Sequence, residues 1–270
     1  MAKLSIITIN LNNAEGLRKT IASVVSQTCK DIEYIVIDGG SSDSSVAVIQ
    51  QYANRIAYWL SESDSGIYSA MNKGIMKASG EYCQFLNSGD CLVADDVVEK
   101  MLAALPPCSI FYGNMLKQLG NGKMFRDKGK RGTISMLTFY RGTLNHSSAL
   151  IKRSLFAQYG LYDENLQVVS DWKFYLIAVG LHKEPVQYVD MDVACFNMTG
   201  ISNTHTVLEK QERRKVLQEY LPANILADYD RHWFAIEQMK RLKRYKLTRW
   251  LVWFMERCLF KWEKNRAKSI

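Results

Sequence analysis

The chain has little that would staple or stiffen it. Six cysteines (29, 83, 91, 108, 195, 258) are scattered without a Cys-x-x-Cys pair, and four histidines (146, 182, 205, 232) are equally dispersed. That spacing excludes a zinc ribbon or finger and fits free thiols in a reducing compartment. Only 4 prolines and a hydrophobic content of 47% across 270 residues exclude a disordered chain. No run reaches the roughly 18 apolar residues of a membrane span. Neither Gly-x-Gly-x-x-Gly nor a Walker lysine loop occurs, which removes a dinucleotide fingerprint and P-loop ATP hydrolysis.

Acidic charge is scarce in one place only. From Arg231 to Ile270 there are 12 Lys/Arg against 3 Asp/Glu, whereas the first 230 residues hold 23 against 24. The net charge of +8 therefore belongs to the tail, and with no nucleic-acid-binding motif present it does not point to nucleic acid. KLSIITIN at the N-terminus reads as a core strand, not a signal peptide. The expectation is a cytoplasmic protein, peripheral at the inner face of the cytoplasmic membrane.

Apolar runs and helical periodicities alternate through the first hundred residues. Leu4–Ile9, 33–38, 56–60 and 82–86 read as strands. Between them lie a helix presenting Leu17, Ile21, Val24 and Val25 on one face, a second opening at SSDSS, and a third over 66–80 that stops at Gly80. Strand–helix–strand repetition implies a parallel sheet covered on both faces. Beyond a helix from Asp95 to about Leu105, the segment 108–135 is strand-like, with a hairpin at Leu119-Gly120-Asn121-Gly122. Residues 145–160 read as a strand then a short helix, 170–180 as a helix, and 193–204 as a strand and loop.

Three polar strand ends fall on one rim: Asn10, Asp38 and Asp90. In open α/β sheets that rim is where ligands bind. An acid at the end of YIVIDGGSSDSS can accept hydrogen bonds from a base edge or ribose hydroxyls, while glycine permits close backbone approach. The plainer reading is a Gly-rich turn, and NSGD after the strand YCQFL is also a good turn sequence.

The ordered set of segments is what discriminates. LSIITINLNNAEGLRKTIASVVSQTCKDIEYIVIDGGSSDSS, SDSGIYSAMNKGIMKASGEYCQFLNSGD and NHSSALIKRSLFAQYGLYDENLQVVSDWKFYL together resemble family 2 glycosyltransferases over about residues 3–200. The resemblance implies a GT-A-like, Rossmann-type, mostly parallel sheet flanked by helices, followed by a helical basic tail. It implies a transferase domain over 1–204, with a nucleotide-sugar half (1–105), an acceptor half (106–204) and a C-terminal extension (205–270).

The resemblance also assigns roles. Asp171 falls at the family's catalytic base, against the alternative that it only complements a helix N-terminus. Thr8, Asn10, Asp38, Asp64, Asn72, Lys73, Asn87 and His146 fall on the nucleotide-sugar side. Asp90 is the implied ligand of Mn²⁺ or Mg²⁺, because the family's Asp-x-Asp reads Asn87-Ser88-Gly89 here. The implied activity is inverting transfer of a hexosyl or N-acetylhexosaminyl group from a nucleotide-diphosphate sugar, a UDP-sugar first. The acceptor is a hydroxyl of a lipid-linked glycan in surface polysaccharide synthesis, and the alternative is a nucleotide-sugar-binding protein without turnover. In the tail, Leu247, Leu251, Phe254, Cys258 and Trp262 form one helical stripe, with Lys/Arg elsewhere. Such an amphipathic segment over 238–270 suits an anionic membrane surface.

Overall fold

The computed structural model describes residues 3–130, 132–198, 206–245, 248–255 and 257. It divides into two compact units, residues 1–216 and 217–270.

The first unit is built on one nine-stranded sheet. Strand β1 (Leu4–Asn10) lies between β2 (Ile32–Asp38) and β4 (Tyr82–Phe85), and β3 (Tyr58–Ser61) forms the edge beyond β2. These four pair in parallel, with Asn10 opposite Asp38. Every residue of β1 is buried, as expected of a strand covered on both faces. On one face Leu4, Ile6, Tyr34, Val36 and Tyr82 share a core with Leu17, Ile21 and Val24 of helix α1 (Ala14–Val25). Val48 and Ile49 of α2 (Ser45–Gln51) and Val97, Val98 and Met101 of α4 (Val97–Ala104) complete that core. On the other face α3 (Ile67–Lys77) lies tightly on β1: a Cβ added to Gly74 would stand 2.5 Å from Ile7 Cγ2.

The second half departs from the expected mostly parallel sheet. Strand β8 (Ala149–Lys152) is antiparallel both to β4 and to β6 (Ile110–Gln118). The long β9 (Val186–Asn197) runs parallel to β6 and antiparallel to the two-residue β5 (Cys91–Leu92). The expected hairpin is present: β7 (Met124–Asp127) folds back on β6, Gly122 takes φ +79°, and its N–H donates to Leu119 O at 2.8 Å.

Helix α5 (Met136–Arg141) precedes β8, α6 (Ser154–Tyr159) follows it, and α7 (Ser170–Tyr175) runs into a π-helical segment, Leu176–Leu181. Helix α8 (Thr206–Tyr220) begins in the first unit. Its buried Glu212 accepts from the N–H groups of Gln167 and Val168 at 2.7 and 3.0 Å. The division between the two compact units, at 216–217, falls inside this helix.

The second unit holds α9 (Ala223–Arg244) and helical residues 248–255. Among its exposed side chains are Phe234, Trp250, Leu251, Trp253 and Phe254. Trp250 stacks on Phe254 at 5.7 Å, and Lys240 and Arg257 lie over Trp233 and Trp253. Of the expected stripe, Leu251 and Phe254 are exposed, and Leu247, Cys258 and Trp262 lie outside the described residues. No helix among the described residues is long and apolar enough to cross a membrane.

Candidate active site

The carboxyl ends of β2, β1 and β4 are neighbours, and their polar residues form one floor. Asp38 is fully buried and accepts from Asn10 Nδ2 (2.7 Å), Ser41 N (2.9 Å), Ser41 Oγ (2.6 Å) and Ser61 Oγ (2.7 Å). Burial alone would raise its pKa, but donors from Ser41, Ser61 and Asn10 outweigh it and hold the carboxyl below its ordinary value. A charged Asp38 thus organises the turn that follows β2. Asp64 caps the adjacent loop, accepting from Gly66 N at 2.9 Å. It also lies over Gly39, where a Cβ would come within 2.7 Å of Asp64 Oδ2.

Two buried acceptors on this floor have no hydrogen-bond partner: Asn10 Oδ1 and Asn87 Oδ1. Leaving a buried acceptor unsatisfied costs about 1–3 kcal/mol, and neither oxygen meets a donor among the described residues. Asn87 is held by its backbone, its carbonyl accepting from Thr20 Oγ1 and Asp90 N. Asn13, which caps α1, adds a bond from its Nδ2 to Ser88 O at 3.0 Å.

Asp90 does not present itself as expected. Its side chain is 3% exposed and turns inward, accepting from Ser147 Oγ and from Asn197 N, each at 3.0 Å. Burial pushes its pKa up to about 7, against those two donors. It latches the β4 turn to β8 and β9 and offers no carboxylate to the rim. Gly89 takes φ +104°, a conformation in which an acidic side chain would be strained. A divalent cation at such a site is ordinarily held by one or two carboxylates plus phosphate oxygens. Among the described residues no group of three or more His, Cys, Asp or Glu could hold a metal ion. The donor set here does not fit Mn²⁺ or Mg²⁺ held by Asp90.

Three other expected residues are used elsewhere. Thr8 is buried beneath the rim and accepts from Tyr34 Oη at 3.0 Å. Asn72 clamps the loop before α7, donating to Tyr162 O (2.9 Å) and Glu164 Oε1 (2.8 Å) and accepting from Tyr162 N (3.0 Å). Lys73 is ion-paired with Glu62 at 2.8 Å.

Asp171 sits in the first turn of α7, half-buried, and accepts from Tyr68 Oη at 3.0 Å. Burial first, then the Asp171 charge, raise the Tyr68 pKa well above its ordinary value, so the phenol remains a donor. His146 stacks on Phe85 (5.0 Å) and shares a 2.9 Å hydrogen bond with Tyr162 Oη. Burial lowers its pKa, with the Asp171 charge opposing, so the imidazole is neutral at physiological pH. Tyr68 and Tyr162, whose rings lie 5.7 Å apart, were not singled out from the sequence. Tyr68 carried a usable signal, standing four residues before Asn72 on the same helix face.

A polar floor lies at the carboxyl ends of adjacent parallel strands, and a half-buried carboxylate, Asp171, opens a separate helix. Residues 5–159 match the family described as Glycosyl transferase family 2. An uncharacterized glycosyltransferase of Mycobacterium tuberculosis is 37% identical over 209 residues, covering 74% of this chain and 77% of its own. A PGL/p-HBAD biosynthesis glycosyltransferase of Mycobacterium bovis is 30% identical over 207 residues, covering 74% and 79%. Among solved structures, S. aureus TarS 1–349 in complex with UDP-GlcNAc has a TM-score of 0.64 at 16% identity, covering 84% of this chain and 69% of that one. The mannosyltransferase PcManGT of Pyrobaculum calidifontis, with GDP-Man and Mn²⁺, has a TM-score of 0.56 at 12% identity, covering 92% and 82%. The chain belongs to glycosyl transferase family 2 and is a glycosyltransferase.

Proposed function

We propose that the protein transfers a sugar, with inversion, from a nucleotide-diphosphate sugar to a hydroxyl of a lipid-linked glycan. The observation that carries this reading is the 3.0 Å pairing of Asp171 with Tyr68. In an inverting transfer the base stands on the face opposite the leaving diphosphate and takes the proton of the attacking hydroxyl. Asp171 is half-buried and held through one oxygen by the Tyr68 phenol, which fixes its orientation and leaves the other oxygen to accept that proton. The hydroxyl oxygen bonds to the anomeric carbon as the bond from that carbon to the diphosphate breaks.

On the donor side, Asp38, Asn10, Asn87 and Asp64 are the residues for the nucleoside. The unpartnered Oδ1 atoms of Asn10 and Asn87 match the donors that ribose hydroxyls or a pyrimidine N–H would offer, and a UDP-sugar is the first choice. Neutral His146 stands beside the Tyr162 loop, able to donate or accept one hydrogen bond to the transferred group. The exposed aromatic residues of the second unit, interleaved with its basic residues, are the proposed contact with an anionic membrane carrying the acceptor.

The test is a panel of nucleotide sugars incubated with the purified chain, measuring nucleoside diphosphate release with and without added Mn²⁺. Release from one donor, stimulated by a glycan acceptor, is the expected result. Tight donor binding with no turnover under any condition would instead establish a binding protein.

A further inference from the structure

Helix α7 opens at Val169-Ser170 with no side-chain hydrogen bond at its cap, where a Ser, Thr, Asp or Asn ordinarily supplies one. The orientation of Asp171, in that first turn, therefore depends on what packs around the segment. Two adjacent residues of α8 grip it. Glu212, 8% exposed, accepts on Oε1 from Gln167 N at 2.7 Å and on Oε2 from Val168 N at 3.0 Å. Both carboxylate oxygens are thus engaged by backbone donors lying four and three residues before Asp171.

Arg213 acts on the residue after it. The guanidinium lies 4.8 Å over the ring of Trp172, and Nη1 donates to Gly142 O at 3.2 Å. Trp172 in turn donates from Nε1 to Phe139 O at 2.9 Å, so α5 pins the ring at its edge while Arg213 covers a face. Arg213 is itself anchored, because Glu209, one turn earlier on α8, pairs with it at 3.0 Å. Burial lowers the pKa of Arg213, and the charges of Glu209 and then Asp171 oppose that. The guanidinium and the Asp171 carboxylate therefore attract one another as well.

We propose that Glu212 and Arg213 are positioning residues for sugar transfer, together holding residues 167–172 so that the Asp171 carboxylate keeps the geometry in which it takes the acceptor proton. The inference rests on the reading of Asp171 as the base and deepens it, and neither α8 side chain touches substrate in it. Tyr68 fixes one oxygen of the carboxylate, and α8 fixes the backbone on which that carboxylate stands. Misplacing a reacting group by about 1 Å can cost about 10²-fold in rate. A loosened segment should therefore slow transfer and leave donor binding alone.

The experiment compares the full chain with Glu212→Gln and Arg213→Gln in two measurements. Hydrogen exchange read by mass spectrometry reports the hold without any substrate. Amides over 167–175 should exchange about tenfold faster in each variant, with the sheet strands unchanged, as for the loss of one charged contact. Single-turnover transfer, from the nucleotide sugar that proves active in the donor panel, reports the consequence. Each variant should be slowed about tenfold with UDP affinity unchanged. In an Asp171→Asn background the same substitutions should slow transfer by less than about twofold, because coupled residues are not additive. Arg213→Lys keeps the charge without the flat guanidinium face; it should also be slowed, and it serves if Arg213→Gln does not fold. Unchanged exchange over 167–175, or wild-type transfer by the folded variants, overturns the positioning role. So does equal slowing with and without Asp171, the mark of a general structural loss. Wild-type transfer by Asp171→Asn alone sinks the base reading, and the exchange result then still tells whether α8 holds the segment.

Discussion

Replacing Asp90 by asparagine separates a structural acid from a metal-binding one. Asp90 has a carboxyl pKa pushed up to about 7 by burial, from an ordinary value of 3.8. Between those values the folded chain binds a proton that the unfolded chain releases, so stability falls as pH rises through this window. From pH 5 to pH 8 the loss from this one group is on the order of 2–3 kcal/mol by linkage. Asparagine can keep both contacts, its Oδ1 accepting from Asn197 N and its Nδ2 donating to Ser147 Oγ, which hold Asp90 at 3.0 Å each. Urea denaturation of wild type and Asp90→Asn at pH 5 and pH 8 measures the difference directly. The variant should be the less pH-sensitive protein by that margin, should transfer sugar, and should respond to EDTA as the wild type does. A variant that folds normally, keeps the wild-type pH slope and loses transfer would refute the latch and return Asp90 to the metal. Asp90→Ala is a poorer probe, because it strands two donors and destabilises the fold itself.

Other perturbations test neighbouring parts of the site. Tyr68→Phe removes the donor held 3.0 Å from Asp171; kcat should fall about tenfold with UDP affinity unchanged, read by steady-state kinetics and titration. Asn72→Ala deletes three hydrogen bonds to the Tyr162–Glu164 loop and should cost about 2–3 kcal/mol in urea denaturation. Deleting residues 238–270 should abolish salt-sensitive sedimentation with anionic liposomes while sparing transfer to a soluble acceptor. Equal liposome binding by the truncated chain would remove the tail from the membrane.

The donor half was legible because its elements are local and periodic. β1, β2 and β4 are continuous apolar runs, and α1 shows its buried face at helical spacing. The acceptor half was less so. β5 is two residues long and exists only through its pairing with β9, and no local pattern announces such a strand. Of the site, positions were readable but orientations were not. Asn10, Asp38 and Asn87 do meet at adjacent strand ends, yet nothing in NSGD reveals that Asp90 faces Ser147 and Asn197 N from distant segments. Asn72 and Thr8 were placed near the pocket by position, while their partners, Tyr162 and Tyr34, are set by tertiary packing. Arg213 lay in a helix with no apolar stripe to mark it, and its stacking on Trp172 is a tertiary fact.

The central claim is that Asp171 takes the acceptor proton, and its direct test is Asp171→Asn. The amide preserves shape and can still accept from Tyr68 Oη, but it cannot take up a proton as the carboxylate does. Single-turnover transfer from a bound nucleotide sugar should slow by about 10²–10⁴-fold, with UDP affinity and urea stability close to wild type. Transfer by Asp171→Asn at the wild-type rate would contradict the account and place the base on another residue.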